Sequence, residues 1–200
     1  MRNFISISVI FIFLLSCSKE NILEIASPNN NIEVKIYVKN GNVQYAINFK
    51  DSALIKPSNL GYLLKNSKPM SGNFLIDTYK ITGSNNIWTQ VWGENKTIID
   101  NYNQLEVSLQ EKVEPFRKMN VIFKVYDDGV GFRYQIPVQK NLDSILISEE
   151  LTEFNFTKNY TSWYTPANFD SYEMLFKNAI LNEVENANTP ITFESNNNVF

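Results

Sequence analysis

The chain has no histidine in 200 residues and a single cysteine, Cys17, close to its start. Without an imidazole, neither a Ser-His-Asp triad nor a zinc centre can be built, so the only groups left for acid–base work are carboxylates. Arginine is almost as scarce. Arg2, Arg117 and Arg133 are the whole complement, and the formal net charge is −3. No basic face is available for nucleic acid. Neither an internal repeat nor a low-complexity linker divides the chain. Asparagine, by contrast, is abundant. There are 28, alongside many Lys and Ile, a composition typical of AT-rich coding. At that density the Asn-x-Thr triplets at Asn95, Asn155 and Asn159 arise by chance and do not imply glycosylation.

The apolar run from Phe4 to Leu15, preceded by Met1-Arg2, is too short to span a bilayer and reads as a secretory signal. It ends in Leu14-Leu15-Ser16-Cys17, where small Ser16 opens the bond to a processing peptidase. Residues 1–17 are therefore expected to be a lipoprotein signal ending at a lipidated Cys17, and residues 18–24 a short tether. Acyl chains add about 0.8 kcal/mol of membrane affinity per methylene, enough together for a stable anchor. The expected location is a bacterial outer membrane, facing the periplasm or the cell surface, with the lipid as the only membrane contact.

The remainder of the chain, residues 18–200, is long enough for one all-β domain and too short for a sandwich plus a full (β/α)₈ barrel. Ile32, Val34, Ile36 and Val38 alternate with polar residues, Asn40-Gly41 supplies a positive-φ turn, and Val43, Tyr45, Ile47 and Phe49 alternate again. That predicts a hairpin. A second is predicted from Met119, Val121, Phe123 and Val125 through Asp127-Asp128-Gly129 into Val130 to Ile136. Leu105, Val107 and Leu109 continue the pattern. Further strands are expected near Gly61–Leu64, Leu142–Ile147, Thr152–Phe156, Thr161–Tyr164 and Ile191–Phe193. The polar runs Asn29-Asn30-Asn31 and Ser195 to Asn198 read as turns, and Tyr172 to Glu185 as a loop with one or two helical turns. The fold class is all-β, a large antiparallel sandwich.

Among the carboxylates, Asp127-Asp128 reads as turn chemistry and Glu149-Glu150 as a solvated approach to a strand. Arg133, between Phe132 and Tyr134, reads as a structural ion-pair or stacking residue. Glu94 and Glu173 each lie beside aromatics in irregular sequence, which suits a site. Glu94 closes the most informative stretch, Trp88-Thr89-Gln90-Val91-Trp92-Gly93-Glu94, followed by Asn101-Tyr102-Asn103-Gln104-Leu105. Two tryptophans beside amides and a carboxylate, without strand or helix spacing, suit a sugar-facing loop, because aromatic faces stack on pyranose C–H surfaces while polar groups bind hydroxyls. The same residues are also compatible with two core tryptophans whose indole N–H groups are bonded. The candidate substrate-rim residues are Trp88, Trp92, Glu94, Tyr102, Asn103 and Glu173.

The block from Trp88 to Glu94 resembles the Trp-x-x-Val-Trp-Gly-Glu signature of the N-terminal domain of glycoside hydrolase family 97. The other matching pieces occur in the same order: Ser27-Pro28 opening the first strand, Ser58-Asn59-Leu60-Gly61, Tyr126 to Tyr134, Thr152 to Phe156, Asp170-Ser171-Tyr172-Glu173, and Ala187 to Ile191. They span roughly residues 25 to 200. The resemblance implies a galactose-mutarotase-like β-supersandwich, followed in the whole enzyme by a (β/α)₈ barrel bearing the catalytic carboxylates and a small C-terminal β-domain. It implies calcium-dependent, exo-acting α-glucosidases or α-galactosidases, inverting or retaining. It also implies that the sandwich packs on the barrel and lends residues to the active-site rim. The family's calcium-binding glutamate falls just beyond Phe200, so Glu194 is not its counterpart, and no metal ligand or catalytic residue is expected in this chain.

The strand around Ile191 and the interrupted return at Val199-Phe200 lead to the expectation that the chain is the first part of a longer enzyme. Two other readings stay open on the residues alone. One is a stand-alone lipoprotein that captures oligosaccharide without catalysis. The other is a structural module whose aromatics are all core.

Overall fold

The computed structural model describes residues 22–140, 142–171, 173–195 and 198–199. The leader, Cys17 and Tyr172 lie outside the described residues. Among the described residues fourteen strands follow one another: β1 (Leu23–Ala26), β2 (Ile32–Lys39), β3 (Asn42–Phe49), β4 (Ser52–Asn59), β5 (Tyr62–Leu64), β6 (Phe74–Thr89), β7 (Thr97–Glu111), β8 (Lys118–Tyr126), β9 (Val130–Gln135), β10 (Ile147–Glu150), β11 (Thr161–Pro166), β12 (Lys177–Ile180), β13 (Ala187–Ser195) and β14 (Asn198–Val199). All the pairings are antiparallel.

Two four-stranded sheets, β1-β2-β3-β4 and β6-β7-β8-β9, pack face to face. Period-two alternation on each puts one set of side chains inward: Val34, Ile36, Val43 and Tyr45 from the first sheet, Leu105, Val107, Leu109, Val121 and Phe123 from the second. A β10-β5 pair and a third sheet, β12-β11-β13-β14, complete the fold. Both hairpins read from the sequence are present. In the first, Lys39 pairs with Asn42 across Asn40 (φ 52°) and Gly41 (φ 84°). A Cβ on Gly41 would lie 2.8 Å from the backbone nitrogen of Asn73, so the position needs glycine for space as well as conformation.

Several expectations are corrected. β1 begins at Leu23, inside the segment expected to be a tether, and Ser27-Pro28 forms the turn after this strand rather than opening it. The buried Ser27 hydroxyl accepts the Ile32 N–H at 3.1 Å. β4 was not anticipated. Its turn, Lys50 (φ 47°) and Asp51 (φ 61°), is built without glycine, and Pro57 sits in it because it is an edge strand. Leu142 to Leu146 is not a strand; pairing starts at Ile147 and takes in Glu149 and Glu150. Thr152 to Phe156 carries only an isolated bridge, Phe156 to Ile55. Lys177–Ile180, expected as loop, pairs with β11, and one 3₁₀ turn, Leu181–Glu183, follows it. The return expected after Ser195 is present as β14.

The largest fully buried side chain is Arg117, 1% exposed and paired with Glu111 at 4%. The guanidinium gives two bonds to the carboxylate, Nη2 to Oε1 at 2.6 Å and Nε to Oε2 at 2.8 Å. Its other donors reach the carbonyls of Lys68 and Pro69, both at 2.9 Å. Satisfied on every side, the pair ties the Ser67–Pro69 loop to the end of the β7–β8 connection.

Candidate functional site

β6 and β7 form one long hairpin whose far end leaves the sandwich. Trp88 and Thr89 belong to the end of β6, and Asn101 to Leu105 to β7, so the irregular part of the tryptophan block is only Gln90 to Lys96. This loop is closed by the Gln90 N–H on the Lys96 carbonyl at 3.1 Å and by the Gln90 amide on the Asn95 carbonyl. Gly93, at φ 140°, lies against Gln90, where a Cβ would come within 2.7 Å of its amide nitrogen. The braced loop carries Trp92, 89% exposed, and exposed Glu94.

The register decides which candidates share a face. Trp88 stands opposite Ile98, Asn86 opposite Asp100, and Ser84 opposite Tyr102. All lie on the face turned away from the buried row Leu105, Val107 and Leu109. Trp88, 51% exposed, and Tyr102 are four strand positions apart across the pair, about 13 Å. Between them Asp100 and the Asn86 amide offer hydrogen-bonding groups. Exposure of both tryptophans overturns the reading in which they are core residues.

Asn103 points to the opposite face, where its amide donates to the Ala26 carbonyl at 2.9 Å and pins β1 over β7. Glu173 lies in the irregular segment between β11 and β12, exposed, with its N–H bonded to the Ser171 hydroxyl at 3.2 Å; no hydrogen bond or ion pair among the described residues links it to the hairpin. Neighbours of Tyr102 that the sequence pattern does not reveal are Tyr126, its ring 5.1 Å away, and Lys124, whose ammonium sits 3.9 Å over the Tyr102 ring. They are separated from Tyr102 by more than twenty residues, and only the β7–β8 register brings them together. The Tyr102 side chain, foremost, raises the Lys124 pKa against a smaller opposing effect of burial, so the ammonium stays charged. Tyr126 donates to Asp100 at 3.2 Å, and partial burial pushes its hydroxyl up. Arg133 is exposed with no ion pair among the described residues, not the structural pair expected.

Other motifs from the resemblance join a scaffold. Thr152 to Asn155 runs along the free edge of β4: the Glu153 N–H bonds the Asn59 carbonyl at 3.0 Å, and the Asn155 N–H the Ser58 hydroxyl at 2.9 Å. The Glu153 carboxylate accepts the Asn59 N–H and side-chain amide, both at 2.9 Å, and those bonds hold its pKa below the ordinary value. The Tyr45 hydroxyl donates to the Glu153 carbonyl at 2.7 Å, and the Tyr134 hydroxyl takes the Gly61 N–H at 3.2 Å. Burial pushes Tyr134 up to about 12, so it stays a neutral phenol here.

Glu150 and Glu153 line a common groove, where the bonds from Asn59 hold Glu153 in its ionised form. Glu111 is consumed by Arg117. Among the described residues no group of three or more His, Cys, Asp or Glu is placed to hold a metal ion.

The Glycosyl-hydrolase 97 N-terminal family model matches residues 25–200. This chain belongs to that family. Two solved structures of a glycoside hydrolase family 97 enzyme from Pseudoalteromonas sp. strain K8, in complex with acarbose and, as a variant, with panose, are each 34% identical to it, with TM-scores of 0.83 and 0.82. The match covers 86% of this chain and 26% of theirs. A beta-arabinopyranosidase, 23% identical with a TM-score of 0.69 over 78% of this chain and 26% of its own, shares the fold. The family 97 chain thus spans about a quarter of the solved enzymes it matches, as their N-terminal β-sandwich domain.

Proposed function

We propose that this domain is the non-catalytic N-terminal part of a longer α-glucosidase or α-galactosidase, in which it packs on a catalytic barrel and helps shape the sugar site. The observation that carries this reading is the family match over residues 25–200 together with 34% identity to enzymes whose complexes contain panose and acarbose. The carboxylates are in keeping with it, since Glu111 is paired with buried Arg117 and Glu153 is bonded by Asn59, both in structural roles. The hairpin arm supports the docking. On its core-side face Tyr79 and Ile81 flank the buried row, and Ile87 and Ile99 lie farther out beyond Asn85, Asn101 and Asn103; all four apolar residues are exposed, Ile87 by 68% and Ile99 by 67%. Two exposed apolar pairs on one face, Tyr79 with Ile81 and Ile87 with Ile99, suit a surface that another body covers. Trp88, Trp92, Glu94 and Tyr102, at the arm's outer face and tip, would then contribute to the rim around an oligosaccharide. Calcium would be held mainly by residues beyond Phe200, and a lipid on Cys17 would hold the enzyme at the outer membrane.

The test is hydrolysis of a nitrophenyl α-glucoside and α-galactoside by the 200-residue chain and by the product of the reading frame extended past Phe200. The extended product is expected to release nitrophenol and the short chain to be inert. Turnover by the short chain at enzymatic rates would overturn the proposal, and a stop codon directly after Phe200 would remove its basis.

A further inference from the structure

A shallow groove of about 400 Å³ on the outer face of the β6–β9 sheet is lined by Gln104, Ile122, Lys124, Tyr126, Gly131 and Arg133. It opens over Gly131, the second residue of β9, opposite Lys124. The φ of Gly131 is not in the left-handed region, and a Cβ built on it meets nothing within 4 Å. Neither backbone conformation nor packing therefore requires glycine there. A glycine inside a strand weakens it, and a position that keeps one without need leaves room for something to approach the backbone.

Two cations stand beside that gap. Arg133 is opposite Ile122 and Lys124 opposite Gly131, so the two residues are diagonal neighbours on adjacent strands of one face, their backbone positions about 7 Å apart. Among the described residues neither lies within 4.0 Å of a carboxylate. Lys124 is fixed over the Tyr102 ring, and Tyr126 is tied to Asp100, so the groove's walls are held in place. Glu106, across buried Ile122 from Arg133, is engaged by the Asn120 amide at 3.5 Å. The Asp100 charge helps keep Lys124 an ammonium, while the exposed Arg133 guanidinium has no carboxylate partner among the described residues, and its planar fork matches a carboxylate in two bonds.

We propose that this groove binds a carboxylate-bearing saccharide. Arg133 takes the carboxylate, Lys124 supplies a second charge, the Gln104 amide meets a ring hydroxyl, and the Tyr126 ring lies beside the sugar's C–H surface. The site is separate from the hydrolase reading and stands whether or not that reading fails.

The experiment is calorimetric titration of the full chain at low salt with trigalacturonate and with its carboxyl-reduced, neutral counterpart. The acid is expected to bind, and the neutral sugar to bind at least about tenfold more weakly, as one charge-assisted carboxylate contact would require. Arg133→Gln is expected to weaken the acid by a similar factor. Gly131→Leu should abolish binding by filling the groove while leaving the circular dichroism spectrum unchanged. Lys158→Gln, which removes an exposed cation elsewhere, is expected to change nothing. No binding of the acid, equal binding of the neutral sugar, full affinity in either groove variant, or an equal loss in Lys158→Gln would each overturn the proposal.

Discussion

The two ends of the β6–β7 hairpin share their strands, their alternation and much of their composition, yet they are different environments. At the near end, Leu105, Val107 and Leu109 are wholly buried, and the row closes on the Glu111–Arg117 pair. At the far end, Ile87 and Ile99 occupy the same face and lie open to solvent. The changeover comes near Asn103, where its bond to Ala26 marks the place at which β1 still covers β7. Apolar alternation specifies a face. Burial of that face requires a second sheet above it, and the first sheet ends short of the arm.

Substitutions along this line test the comparison. Arg117→Leu is expected to cost the most, about 3–5 kcal/mol in denaturant unfolding, because it strands the Glu111 carboxylate in the interior. A loss below about 1 kcal/mol would mean that water reaches the pair. Next comes Leu105→Ala, about 2–5 kcal/mol, against Ile99→Ala on the same strand and face at about 0.5 kcal/mol or less. Equal losses at the two positions would break the distinction between the two ends. Tyr45→Phe, which leaves the Glu153 carbonyl without its buried donor, should cost about 1 kcal/mol.

The smallest effect is a pH dependence. The Glu153 pKa is lowered on folding, so its contribution to stability is present above the ordinary carboxyl value of 4.5 and is lost as pH falls through the lower folded value. Thermal melts of Glu153→Gln should accordingly show a shallower acid limb than the parent. Identical acid limbs would place the Asn59 contacts outside the folding balance.

Legibility followed the range of the interactions involved. The β2–β3 and β8–β9 hairpins could be read directly, because Asn40-Gly41 and Asp128-Gly129 declare their turns and the strands alternate around them. β4 could not, since Lys50-Asp51 reaches positive φ without glycine and Pro57 argues locally against a strand. Thr152 to Phe156 looked like a strand, but its backbone partners are spread among Asn59, Ser58 and other residues roughly a hundred positions earlier. The tryptophan block was recognisable as unusual. That Trp88 and Tyr102 share a face, that Asn103 belongs to the other, and that Glu173 stands apart all depend on registers that no local pattern contains.

By itself, then, the amino-acid sequence determined the all-β class, the turns made by glycine pairs and the side chains that alternate together, because backbone sterics and period two act over a few residues. The tertiary structure alone decided that Leu105 is core and Ile99 surface, that Arg117 is enclosed while Arg133 is exposed, and that Lys124 stands over Tyr102. Those outcomes turn on which strand lies beside or above another, a matter of pairing across tens of residues, where identical local patterns meet different neighbours.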